Sequence, residues 1–508
     1  MLAKITSGAI IGLNAELIDV EVDIPNSGLP SFTIVGLPDK AVEESKERVR
    51  SAIKNSGADF PSSRITVNLA PADIPKTGPM YDLPIALGIL IASGQISRDI
   101  SDSLFLGELS LDGSLRHTNG VLPMINLARE KKIKNVFVPK VNEKEASIIP
   151  RVVVYPIESL LELVRYISGT INISPSKITS ISKILKVAEA EFDFSEVIGQ
   201  ESAKRALEVA AAGSHNLFMT GTPGSGKTML ARAMPGILPR LTENEALEVT
   251  KIYSITGNLP SGVSIVVQRP FRSPHHTTSR IGLIGGGSNP MPGEVSLAHR
   301  GILFLDEFPE FPRNVLESLR QPMEDGVVSI SRARGTVAYP AAFLLIAASN
   351  PCPCGYFGDL KRACICSSGQ IARYQKRISG PLLDRIDIHI SVPVVDPDKL
   401  IGVDSGAESS GVIQLRVQKA RNIQTKRYKN TKFNANSELS SKAIKDYCPL
   451  TKDSLLLLKN AASKMNLSAR AFHKVIKVAR TIADLEGTKS INISHVAEAL
   501  QFRPTTFE

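Results

Sequence analysis

The octapeptide GTPGSGKT, residues 221–228, restricts the fold more than any other stretch. It fits G-x-x-x-x-G-K-[ST], and its neighbours give the context that pattern needs. An apolar strand, NLFMT, precedes it, and a helix-forming run, TMLARAMPG, follows. A chain built this way needs an α/β unit with a parallel sheet. In the loop of Gly221, Thr222, Pro223, Gly224, Ser225 and Gly226, expected to bind the nucleotide, the glycines let backbone N–H groups close around phosphate oxygens. The helix that begins there adds a potential favourable to anions, with Met229 in its first turn. Lys227 is placed to reach the β and γ phosphates, and Thr228 to bind Mg²⁺ through its hydroxyl. A nucleoside triphosphate, ATP, is the expected cofactor. The bland alternative is a glycine-rich turn.

A second segment completes this chemistry. In GILFLDE, residues 301–307, four apolar residues make a core strand, and Asp306 and Glu307 emerge at its end. Asp306 is expected to hold Mg²⁺ through its hydration shell. Glu307 is expected to activate the attacking water, which makes the site hydrolytic. A helix-capping acidic pair is the competing reading. Asn350 ends the strand FLLIAASN, where it can reach the γ-phosphate or the water; alone it reads as an Asx-turn residue. Arg385, in SGPLLDRIDIHISVP, suits a transition-state arginine lent to a neighbouring subunit, or else a surface ion pair with Asp384 or Asp387. Arg470, in LSARAFHK, opens a C-terminal helix and can reach phosphate from that side, or stay solvated.

The 508 residues suggest two to four domains. An α/β domain is expected over 1–170, a polar linker over 171–190 and the P-loop domain over 191–395. A basic linker with an exposed helix is expected over 396–438, and a helical domain over 439–508. In the run ARAFHKVIKVARTIADLEG, Phe472, Val475, Ile476, Ala479, Ile482 and Ala483 share one face, with Lys474, Lys477 and Arg480 off it. Net charge is +10, which makes a polyanion a reasonable partner but says nothing about fold. The most apolar window, LPIALGILIASG, is too short for a bilayer and reads as a buried helix. The start carries no secretory pattern. A cytoplasmic protein without membrane contact is the expectation.

Four of the five cysteines crowd into the loop 350–368, as Cys352, Cys354, Cys364 and Cys366. In a reducing compartment they are not a disulfide framework. Two close pairs across a short loop can place four thiolates around one tetrahedral Zn²⁺. Such a metal supplies the order that a polar loop without an apolar core lacks. The alternative is four reduced, unliganded thiols. Cys448 stands apart as a core residue.

Several stretches resemble one family. GQESAKRALEVAAAGSHNLFMTGTPGSGKTMLARAMPGILP, FRSPHHTTS, GLIGGGSNPMPGEVSLAHRGILFLDEFPEF, SNPCPCGY and ISGPLLDRIDIHI are similar to magnesium-chelatase-like AAA+ ATPases of the ComM/YifB type. The resemblance covers the whole chain. It implies an ATP-driven homo-oligomer, a hexamer, acting on DNA as a branch-migration helicase in recombination during natural transformation. It implies the roles given above to Lys227, Thr228, Asp306, Glu307, Asn350, Arg385 and Arg470, and places Ile198 and Gly199 near the adenine. It also gives the first domain a Lon-protease-like fold and makes the last a helical lid over the nucleotide. Where that fold carries a nucleophilic serine this chain has Met80, and where it carries the partner lysine it has Leu122, so proteolysis is not expected.

The stretch EDGVVSISRARGTVAYPAAF, residues 324–343, reads as a β-hairpin with Arg332 and Arg334 near its tip. Basic side chains on such a loop grip phosphates without regard to base sequence, the competing reading being a solvated hairpin edge; the resemblance implies that the partner is DNA, single-stranded or branched. The adjacent His275 and His276 suit a hydrogen-bonding role better than a metal. Two other readings stay open. One is a chelatase-type subunit driving metal insertion into a tetrapyrrole. The other is a protein-remodelling ATPase, although GLIGGGSNP offers no aromatic residue for gripping a polypeptide.

Overall fold

The computed structural model describes residues 1–25, 29–97, 100–185, 191–260, 262–332, 335–359, 362–395 and 408–503. The chain divides into two compact units. One holds residues 1–186 together with 243–267, and the other holds 187–242 together with 268–508.

The first unit is built on a mixed seven-stranded sheet. Its strands are β1 (Leu2–Ile11), β2 (Asn14–Asp23), β3 (Ser31–Val35), β4 (Arg64–Ala70), β5 (Ser103–Phe105), β6 (Asn135–Pro139) and β7 (Val153–Ile157). Their order is β3-β4-β2-β1-β5-β6-β7, antiparallel at β1–β2 and β2–β4 and parallel elsewhere. Alternation sets the buried face: Ile18, Val20 and Val22 on β2, and Ile65, Val67 and Leu69 on β4, are all buried. Past Asp82 the helix Asp82–Ala92 is apolar all round and, Ile91 apart, buried, so it lies inside the unit. The helix Lys40–Asn55 is amphipathic, capped by Asp39 accepting from the Val42 N–H, and turns Val42, Val49 and Ile53 inward.

The domain boundaries differ from those expected. The helix Glu243–Ile255, in the middle of the expected P-loop domain, belongs to the first unit. Leu247 packs on that unit's core, and the Ser254 carbonyl accepts from the Gly120 N–H. The Ser254 hydroxyl donates to the buried carboxylate of Glu145, which also accepts from the Leu122 N–H. A helix with Ala246, Val249, Ile252 and Ile255 on one side needs an apolar partner, and the first unit supplies it.

The second unit carries a five-stranded, wholly parallel sheet. Its strands are β8 (Leu217–Thr220), β9 (Phe271–Arg272), β10 (Ile302–Leu305), β13 (Leu344–Ser349) and β14 (Ile388–Ser391). A separate hairpin pairs β11 (Val327–Arg332) with β12 (Gly335–Pro340). The sheet order is β9-β10-β13-β8-β14. Every residue of β10 and β13 is buried, as expected for strands covered on both faces. Because the strands are parallel, Thr220, Leu305 and Ser349 all end at one edge, and the residues that follow them meet there.

The stretch expected as a basic linker contains the helix Ser410–Arg427, whose Ile413, Val417 and Ala420 join this unit's core. Three modest apolar residues make a narrow stripe that the flanking charge conceals. The helix Ala469–Leu485 buries Val475, Ile476, Ala479, Ile482 and Ala483. Two basic residues placed off that face are not solvated. Arg480 is buried and paired with Asp484 at 2.9 Å, and Lys474 is paired with buried Asp387 at 2.9 Å. Each is drawn in by a carboxylate that needs a partner in a dry environment. Cys448 is buried, and burial pushes its thiol up to about 12. No helix among the described residues is long and apolar enough to cross a membrane.

Candidate nucleotide-binding site

The parallel edge of the second unit gathers the side chains that the sequence separates by more than a hundred positions. Between β8 and the helix Lys227–Ala233, Gly224 and Gly226 adopt φ of 77° and 90°, a left-handed conformation that bends the loop back on itself. The Lys227 ammonium turns into this loop. It donates to the Gly221 carbonyl at 2.7 Å, the Thr222 carbonyl at 2.9 Å and Asn350 Oδ1 at 3.3 Å. Burial pulls its pKa below the ordinary lysine value, against an opposing pull from Asp306. The ammonium thus occupies a ring of oxygens on the concave side of the loop. A phosphate offers the same kind of partner with more charge.

The Thr228 hydroxyl donates to Asp306 Oδ2 at 2.7 Å. Two oxygens so disposed form one side of a hard-cation site, and Mg²⁺ bound by few protein oxygens plus phosphate and water is the ion such a set suits. Asp306 Oδ1 in turn accepts from the Glu307 N–H at 2.9 Å. Glu307 sits at φ 50°, a conformation that costs a non-glycine residue energy and aims its side chain off the strand direction. Its carboxylate lies 3.3 Å from His276 Nδ1, and the His276 ring lies edge-on to Phe311. His276 therefore makes a polar contact with Glu307, as the hydrogen-bonding reading expects.

Two further residues enter the site without an obvious signal in the sequence. Gln200 donates to the Ser225 carbonyl at 3.2 Å and to the Pro393 carbonyl, which fastens the Ile198–Gly199 segment beside the phosphate loop. A glutamine ending VIGQ offers no pattern that distinguishes it. Gly355 is the other. Its φ is 87°, and a Cβ there would lie 2.6 Å from the Pro223 ring. The cysteine-rich loop is thus seated directly on the phosphate loop. Met229 lies in the first turn of the following helix, partly exposed.

The four cysteines converge. The Cys352 sulfur lies 3.4 Å from that of Cys354 and 3.7 Å from that of Cys364, and Cys354 and Cys364 are 3.6 Å apart. All four Sγ atoms, Cys366 included, fall within 4.8 Å of one another. Zn–S bonds of about 2.3 Å in a tetrahedron require sulfurs about 3.8 Å apart, so the set fits Zn²⁺. The Tyr356 N–H, which reaches the Cys354 sulfur, holds that thiol down to about 6. The Phe357 N–H donates to Cys352 Sγ at 3.3 Å. Backbone donors aimed at sulfur are what a thiolate cluster uses.

Arg385 and Arg470 meet away from the phosphate loop. Arg385 Nη2 lies 2.7 Å, and Arg470 Nη2 3.4 Å, from the same Oε1 of Glu324. Arg385 pairs with neither Asp384 nor Asp387; the latter is taken by Lys474 and by His215 Nδ1 at 3.3 Å. Arg332 closes β11 opposite Gly335, and Arg334 lies outside the described residues.

Three family models match, one after another. "Magnesium chelatase, subunit ChlI" covers residues 193–400, "Subunit ChlI of Mg-chelatase" 20–142, and "Magnesium chelatase, subunit ChlI C-terminal" 407–503. The chain is 44% identical to Competence protein ComM of Haemophilus influenzae over 510 residues, covering 99% of this chain and 97% of that protein. The chain belongs to the ComM/YifB family of magnesium-chelatase-like proteins. Another member, YifB of Escherichia coli, is 43% identical over 507 residues, with 99% of this chain and 97% of that one covered. The Magnesium-chelatase 38 kDa subunit of Rhodobacter capsulatus matches less, at 26% over 179 residues, 32% of this chain and 50% of its own. For the ComM/YifB family the site's setting is an AAA+-type domain with a parallel sheet.

Proposed function

We propose that this protein is an ATP-hydrolysing motor that works on DNA as a homo-oligomeric ring, a hexamer, and promotes branch migration in homologous recombination. The observation that carries the hydrolytic part is the convergence of Lys227, Thr228, Asp306 and Asn350 at one sheet edge, with Glu307 beside them. In this reading Lys227 neutralises terminal phosphate charge, Thr228 and Asp306 hold Mg²⁺, and Glu307 activates water while Asn350 positions it. Zn²⁺ is structural, held by Cys352, Cys354, Cys364 and Cys366. Arg385 and Arg470 serve phosphate charge at a subunit boundary, the latter from a C-terminal helical lid. The first unit is a Lon-protease-like scaffold without proteolytic activity, since Met80 and Leu122 are buried and neither side chain is a nucleophile or a base. The setting is cytoplasmic.

DNA as the partner rests on the hairpin β11–β12, which carries Arg332 at the end of β11, on Arg334 two positions further along the sequence, and on the net charge of +10. The likeness to Competence protein ComM of Haemophilus influenzae supports competence as the setting. A chelatase-type role is favoured less, because the Rhodobacter chelatase subunit matches only 32% of the chain. The test is steady-state ATPase activity with and without branched DNA, for the parent and for Arg332→Ala. Stimulation of the parent by DNA, reduced about tenfold or more in Arg332→Ala, is expected. Equal rates with and without DNA in both would reject DNA as the partner.

A further inference from the structure

We propose that Glu324 is a positioning residue that occupies Arg385 and Arg470 until a terminal phosphate arrives and competes with that phosphate for them. This deepens the reading above and rests on it. The two arginines come from segments 85 positions apart, yet both reach Oε1 of one carboxylate. Glu324 belongs to the short helix Arg320–Asp325. That helix is fixed to the arginine segment twice, one turn apart. Arg320 donates to the Ser379 hydroxyl at 3.0 Å, and Glu324 pairs with Arg385.

The charge at this cluster is incomplete. One carboxylate faces two guanidinium groups, each with five N–H donors, so one positive charge is left unbalanced. Arg385 Nη1 is used by the Pro381 carbonyl at 2.7 Å and Nη2 by Glu324, while its buried Nε has no hydrogen-bond partner. A terminal phosphate, with a charge near −2 and three oxygens in a compact array, matches a pair of forks better than a single carboxylate does. Arg470 and Glu324 are exposed over 60% and 44% of their side chains, so this contact can be exchanged, whereas Arg385 is largely enclosed. Glu324 also lies three residues before β11, with only Gly326 between its helix and the hairpin strand. Loss of the arginines from Glu324 on phosphate arrival is therefore felt at the base of the hairpin.

The test compares equilibrium affinity for ATPγS with that for ADP, which lacks the terminal phosphate. The full chain is used as parent, as Glu324→Gln, and as Glu324→Gln combined with Arg385→Ala and Arg470→Ala. In Glu324→Gln the preference for ATPγS over ADP should rise about fivefold or more, with ADP affinity unchanged, and the gain should vanish when both arginines are absent. An unaltered preference, a parallel change in both affinities (the mark of a merely structural role), or a gain that persists without the arginines would overturn the inference. A parent that hydrolyses ATP while Glu324→Gln leaves the preference unmoved defeats this inference alone. A parent that binds neither nucleotide defeats the ATP site as well.

Discussion

Single residues in the second unit are held by burial as much as by pairing, and His389 is the clearest case. Its ring lies edge-on to Phe218, its Nδ1 is sealed from solvent without a partner, and burial, helped by Arg503 and Lys474 and opposed by Asp387, pulls its pKa down to about 3. An unfolded chain returns it to about 6.5. The folded state therefore keeps the neutral ring, and its contribution is present above about pH 6.5 and lost as pH falls toward 3. Thermal unfolding of the parent should drop in midpoint over that window, and His389→Phe should flatten the drop. An identical pH dependence in the two would contradict the assignment. At this scale the sequence was partly legible. Lys227, Thr228 and Asp306 sit in patterns whose spacing reflects phosphate chemistry. Gln200, Gly355 and Glu324 sit in none, because each acts through a contact that only the folded chain creates.

At the scale of elements, the parallel edge and the cysteine loop depend on each other. The loop follows β13 directly, and Gly355 lies against Pro223 with no room for a methyl group. Gly355→Ala should therefore displace the phosphate loop and also strain a left-handed backbone, costing about 1 kcal/mol or more from strain alone. The expected result is a kcat loss of about tenfold or greater with one equivalent of zinc retained. Wild-type turnover would contradict the seating of one loop on the other. The strands and the main helices were legible, since β10 and β13 are continuous apolar runs and the helix Ala469–Leu485 keeps a strong stripe. The helix expected in the basic stretch is present as Ser410–Arg427, but its burial was not legible, because its core contacts rest on three modest residues among many charged ones. The burial of Lys474 and Arg480 was likewise not legible, since their partners Asp387 and Asp484 pull them inward for reasons that periodicity does not carry.

The whole molecule is two units whose chain passes from one to the other three times, because residues 243–267 leave the P-loop unit and join the first. The buried carboxylate of Glu145 is satisfied in part by Ser254 from that excursion. Removing the excursion would leave a buried charge short of a donor, which costs about 1–3 kcal/mol or more. Linear domain boundaries could not reveal this, for the helix Glu243–Ile255 has an ordinary amphipathic pattern and nothing in it names the core it will meet. The central claim is that this assembly hydrolyses ATP at the edge where Lys227, Thr228, Asp306, Glu307 and Asn350 meet. The most direct test is steady-state ATPase activity of Glu307→Gln beside its equilibrium affinity for ATP. A kcat loss of about a hundredfold or more, with ATP still bound as tightly as by the parent, is predicted. Parent-like turnover in Glu307→Gln would contradict it.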